Sequence, residues 1–139
     1  MSDSPVSRTM AALREDGYDP WVVERSVPTR PHPTKIDLFG IVDLEALADD
    51  HTLYVQVCRD ADLTDHFRKC RQEEIHGRLA RLLTIPTRRF EIWSWAKKRD
   101  RWRARVYHAR LHGGSVTFVE LAQVDSRETL MDAAQGADL

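Results

Sequence analysis

The densest run of chemically capable side chains is Gly40-Ile41-Val42-Asp43-Leu44-Glu45, followed after a polar turn by Tyr54-Val55-Gln56-Val57-Cys58-Arg59. If the two segments are neighbouring strands, the two-residue period puts Gln56 and Cys58 on one face, beside Asp43 on the adjacent strand. Their side chains then converge as a carboxylate, an amide and a thiol. Cys58 has further readings. With His66, Cys70 and His76 it offers zinc-ligating groups, although no Cys-x-x-Cys pair is present. A nucleophilic role requires a histidine fixed beside it, and none is near in sequence. The whole set also fits a structural arrangement, with Asp43 bonding a turn, Gln56 satisfied beside a helix and Cys58 acting as a small buried hydrophobe.

The elements that must position these groups follow from patterning. Ser4-Pro5 caps a helix over 5–16, with Val6, Met10 and Leu13 at helical spacing and Gly17 as its stop. Trp21-Val22-Val23 reads as a short strand, and Pro28, Pro31 and Pro33 mark the next stretch as a loop. Ile36 to Leu47 and Leu53 to Cys58 read as two strands joined by the turn Ala48-Asp49-Asp50-His51. Thr64 caps one helix running to about Leu83, which Pro86 ends. Phe90 to Trp95 and Trp102 to Leu111 form a hairpin around Lys97 to Arg101, and Val116 to Leu121 adds an edge strand. The expected fold is α/β, a mixed central sheet of about five strands flanked by two main helices. We expect residues 1–139 to form one domain, with 132–139 a frayed tail.

The segment around Asp43 and Gln56 resembles the core of the PD-(D/E)XK nucleases, including Holliday-junction resolvases and related phage proteins. Those proteins place an Asp at the end of one strand and Glu-x-Lys on the next. Asp43 matches the Asp, Gln56 stands where the Glu would be, and Cys58 where the Lys would be. The separation of 13 residues between Asp43 and Gln56 suits compact members of that superfamily. The resemblance spans roughly residues 5–95 in the order helix, strand, strand, strand, helix, strand. Glu24, Asp37-Leu38-Phe39-Gly40 and the Gln-x-Cys strand are further similar to small phage and mobile-element proteins, which commonly show Gln-x-Thr. This likeness implies a restriction-endonuclease-like core and phosphodiester hydrolysis with Mg²⁺ or Mn²⁺, hard cations that take oxygen ligands. It implies metal binding by Asp43, Gln56 and Asp37, with Glu24 completing the acidic shell and the Val57 carbonyl available. Gln56 supplies only a neutral amide oxygen, and Cys58 does not replace an ammonium. Lys69 or Lys35 would have to supply the cation. A homodimer is also implied, because two scissile strands require two sites.

The net charge of -1 is unevenly spread. Residues 88–105 carry Arg88, Arg89, Lys97, Lys98, Arg99, Arg101, Arg103 and Arg105 against Glu91 and Asp100, eight cations against two acids and so a local +6. From Glu120 onward the balance is acidic. A basic hairpin interleaved with Trp93, Trp95 and Trp102 suits phosphate contact and base stacking, or is a solvated hairpin. Arg59, Arg68, Lys97, Lys98, Arg99 and Arg101 are the candidate nucleic-acid contacts, which makes DNA the expected partner. Two cysteines cannot build a disulfide framework, the chain opens on no apolar leader, and no apolar run is long enough to cross a bilayer, so a reducing cytoplasm is the expected compartment.

Overall fold

A computed structural model describes residues 4–125, so the expectation of a frayed tail at 132–139 lies outside the described residues. Helix α1 (Pro5–Glu15) begins with a capping box in which the Ser4 and Ser7 side chains each serve the other's backbone N–H. Strands β1 (Asp19–Val22), β4 (Leu44–Leu47), β5 (Thr52–Arg59), β6 (Arg88–Lys98), β7 (Arg101–His112) and β8 (Ser115–Asp125) form one sheet in that order. Only β5 and β6 are parallel, and the crossover between them carries α2 (Leu63–Arg71) and α3 (Glu73–Leu83). The sheet is therefore mixed, with six strands where the sequence suggested about five. The short strand read at Trp21-Val22-Val23 corresponds to β1, which forms one edge of the sheet, paired antiparallel with β4.

Alternation along the strands divides the buried residues between two faces. Leu53, Val55, Val57, Trp93, Trp95, Ala104 and Val106 pack on one face with Ala12 and Leu13 of α1. Cys58, Phe90, Ile92, Tyr107 and Ala109 pack on the other with Cys70 of α2 and Leu79 and Leu82 of α3. Burial of Trp95 is chemically complete, because its indole N–H donates to Thr9 Oγ1 at 2.8 Å. Trp93 likewise donates to Glu91 at 3.2 Å. The expectation that these two rings stack on bases is thereby overturned: they are 0% and 1% exposed, facing the core beneath α1. Trp102 is half-buried and covered by the Arg8 guanidinium at 3.7 Å.

Three further departures have local causes. The single helix expected from Thr64 to Leu83 is two, broken at Gln72, whose ψ of 137 is extended. At about 100° per residue, Ile75 would lie about 140° around a continuous helix from Cys70, and the break lets both reach the core. The proline-rich stretch carries a small hairpin, β2 (Arg25–Val27) with β3 (Thr34–Ile36), outside the main sheet and free of proline at its paired positions. The strand expected from Ile36 is reduced to β4, because residues 37–42 double back in a tight turn closed by a Leu38 to Val42 bridge. Phe39 and Gly40 both have positive φ there. Gly40 is needed, since a Cβ would lie 3.0 Å from Ile75 Cδ1.

Candidate metal centre

Register and one tight turn bring three acids together. Val22 opposes Leu44 across β1 and β4, and just beyond this pair the Val23 N–H donates to the Asp43 carbonyl at 3.0 Å. The intervening residues fold into the small hairpin, in which Arg25 opposes Ile36, so that Glu24 and Asp37 meet at its base. The turn over 37–42 then returns the chain to Asp43. Glu24, Asp37 and Asp43 each present a carboxylate oxygen within 4.8 Å of the others, and among the described residues they form the one such group of acids, histidines or cysteines.

Asp43 is the fixed member. It is 4% exposed, and its Oδ2 accepts from the Val57 backbone N–H at 2.8 Å and from Gln56 Nε2 at 2.7 Å. Burial pushes its carboxyl up to about 8, assisted by Asp37 and Glu24 and opposed by the Val57 hydrogen bond. Without a cation the Asp43 carboxyl thus keeps its proton to well above the usual carboxylate range. Gln56 is 3% exposed, and its Oε1 has no hydrogen-bond partner, an orphaned acceptor beside the acids. Glu24 and Asp37 are half-buried, and each meets a lysine: Lys35 lies 3.5 Å from Glu24 and Lys69 3.7 Å from Asp37.

The donor set suits a hard divalent ion. Oxygens around Mg²⁺ at its usual bond length lie about 3 to 4 Å apart, near the spacing that the three carboxylates already hold. The proton held on Asp43 is what a cation would displace. Lys69 and Lys35 stand at the rim, paired with acids.

An open cleft of about 590 Å³ adjoins the acids, lined by Glu24, Lys35, Asp43, Cys58, Arg59 and His66 among others, with Ser4 and Pro5 of α1 closing one side. His66 is a wall residue that sequence reasoning tied only to zinc. Its Nδ1 is buried without a hydrogen-bond partner, and burial together with Lys69 lowers its pKa. The zinc arrangement is not formed: Cys58 and Cys70 are buried free thiols, and His76 Nε2 accepts from the Val116 N–H at 3.1 Å. A nucleophilic Cys58 is likewise disfavoured, since burial pushes its thiol up to about 11 and leaves it neutral.

The candidate nucleic-acid residues are scattered. Arg59 and Arg68 are paired with Asp62 and Asp65 at 3.2 and 3.0 Å. Lys97 lies over the Trp102 ring at 5.8 Å, on the α1 side of the sheet. Arg99 occupies the two-residue turn with Asp100, and Lys98 and Arg101 oppose each other across the hairpin. No protein-family model, no curated protein and no solved structure matches this chain.

Proposed function

We propose that this chain is a metal-dependent phosphodiesterase of the PD-(D/E)XK type, acting on DNA. The observation that carries this reading is the convergence of Glu24, Asp37 and Asp43, brought together by the small hairpin and the turn over 37–42, on the sheet face that holds Gln56. The α/β architecture, with Asp43 opposite Gln56 on adjoining antiparallel strands, suits a restriction-endonuclease-like core. The three carboxylates would hold Mg²⁺ or Mn²⁺, with the orphaned Gln56 Oε1 beside them. A divalent cation there supplies Lewis-acid polarisation of a phosphodiester oxygen and an activated water. Gln56 fixes the Asp43 carboxylate through its amide N–H. Lys69 and Lys35 bring positive charge toward the scissile group, in place of the motif lysine that Cys58 has displaced. Branched or single-stranded DNA in phage or mobile-element metabolism and a homodimeric assembly follow from the same resemblance, and two free cysteines are in keeping with a reducing cytoplasm.

The neutral, buried thiol at position 58 favours a second reading, a nuclease fold that binds nucleic acid or a partner protein without cutting. Incubation of linear, single-stranded and four-way-junction DNA with Mg²⁺ or Mn²⁺ separates the two. Cutting that needs the metal and disappears in Asp43→Asn is the expected result. Binding without cutting by the native chain selects the second reading.

A further inference from the structure

The two faces of the β6–β7 hairpin differ in chemistry. Ser94 opposes Arg105, Ala96 opposes Arg103 and Lys98 opposes Arg101, so alternation places all six on the face that carries Gln56 and Cys58. The other face presents Trp95, Lys97 and Trp102, closed over by α1 and Arg8. Around the half-buried Ala96, the side chains of Lys98, Arg103 and Arg105 together with Asp60 line a separate cavity of about 180 Å³. Its floor is built: Asp60 Oδ1 accepts from Ser94 Oγ at 3.1 Å and from Arg105 Nη2 at 2.6 Å, which aims the guanidinium along the sheet. Three cations against one carboxylate leave the cavity at +2.

We infer that this cavity is a phosphate-binding subsite for the nucleic-acid backbone, with Lys98 and Arg103 as its contacts and Arg105 held in place by Asp60. The inference rests on the DNA reading above. Asp60 directly follows Arg59, which lines the cleft beside the acids, so the subsite and the acidic cluster share one sheet face and one rim. Asp43 lies in one row with Gln56, Ile92 and Tyr107, and Arg105 stands two residues further along β7, about 16 Å away at the usual strand spacing and rise, with Arg103 and Lys98 beyond it. A strand engaged at the acids therefore runs its flanking phosphates over Lys98 and Arg103. Cations in this position neutralise backbone charge at a fixed offset from the reacting bond and so set register rather than sequence.

The test measures binding of a labelled DNA duplex, and of a labelled single strand, in Ca²⁺ or without metal over a range of salt. The variants are Lys98→Ala/Arg103→Ala, the single change Lys98→Ala and, as its control of equal charge on the opposite face, Lys97→Ala. Neither Lys98 nor Arg103 holds the core, and unchanged thermal melting confirms that the double variant folds. The expected result is binding weakened at least tenfold, with the log–log salt slope shallower by about 1.4 to 1.8, two phosphates' worth, and Lys97→Ala close to native. Equal losses in Lys98→Ala and in Lys97→Ala, or no loss in the double variant, overturn the subsite. Cleavage by the native chain with Mg²⁺ is scored separately. Weakened binding in a protein that never cuts keeps the subsite and removes the nuclease reading, whereas native-like binding and cutting by the double variant does the reverse.

Discussion

Gln56 decides how Asp43 behaves. A buried carboxylate beside two other acids is costly, and the amide N–H of Gln56 offsets part of that cost by donating to Oδ2. A glutamate at 56 would restore the motif of the superfamily that the chain resembles, while replacing that donor with another negative charge. Gln56→Glu should therefore destabilise the metal-free protein by about 1–3 kcal/mol, the usual cost of a broken buried hydrogen bond. It should also enlarge the rise in melting temperature produced by Mg²⁺, because a fourth carboxylate joins the acids. Thermal melting with and without Mg²⁺ checks both. A variant that loses stability and gains no metal response would place position 56 outside the metal's reach. Cys58, by contrast, is legible as a motif position only through resemblance: its strand spacing is that of the missing lysine, but burial leaves it a neutral thiol.

Turns set the geometry that the strands then hold. The tight turn over 37–42 is what allows Asp37 to meet Asp43, and Gly40 sits at φ +76 with Ile75 Cδ1 and Arg78 Nη1 against the place where a Cβ would go. Gly40→Ala should cost more than about 1 kcal/mol, from the left-handed backbone together with the close contact. It should also blunt the Mg²⁺ response, because the acids share this turn. Denaturant titration with and without Mg²⁺ reads both effects. At the far end of the sheet, Arg99 and Asp100 form the two-residue turn between β6 and β7 at φ +52 and +62 without a glycine. Asp100→Gly should raise stability by about 0.5–1 kcal/mol while leaving the acids untouched, measured in the same titration. The sequence showed the hairpin but not this turn, because Lys97 to Arg101 lacks the Asn-Gly or Asp-Gly signal. It also carried, unread, the slip from Cys70 to Ile75 that breaks the long helix, and the alternation of Arg101, Arg103 and Arg105 that puts three cations on one face. The pairing of β2 with β3 had no such signal. Three prolines in the loop between and beside them masked two three-residue strands whose exposed residues show no period.

At the scale of the whole molecule the acids tie folding to protons and to metal. Asp43 was legible from its place between two strand patterns, and Glu24 and Asp37 only from resemblance, since they lie 19 and 6 residues away from Asp43 and meet it through turns that pattern does not specify. Once assembled, they give the fold a pH dependence of definite sign. The Asp43 carboxyl is raised to about 8 in the folded chain, above the usual value of about 4 that it regains on unfolding. The folded state therefore binds the extra proton, and stability from this group is fully present below about pH 4 and lost as pH rises through about 8. Metal-free protein should melt at progressively lower temperature across that window, beyond the change seen in Asp43→Asn, where no proton is exchanged. Mg²⁺ takes the place of the Asp43 proton, so it should stabilise most at and above pH 8, flatten the native profile, and leave the Asp43→Asn profile unchanged. Melting curves from pH 5 to 9 with and without Mg²⁺ decide the point. A native profile that matches Asp43→Asn in both conditions would mean that Asp43 holds no extra proton and the three carboxylates take up no ion, and the same acids would then be packing and turn residues of a fold whose chemistry lies elsewhere.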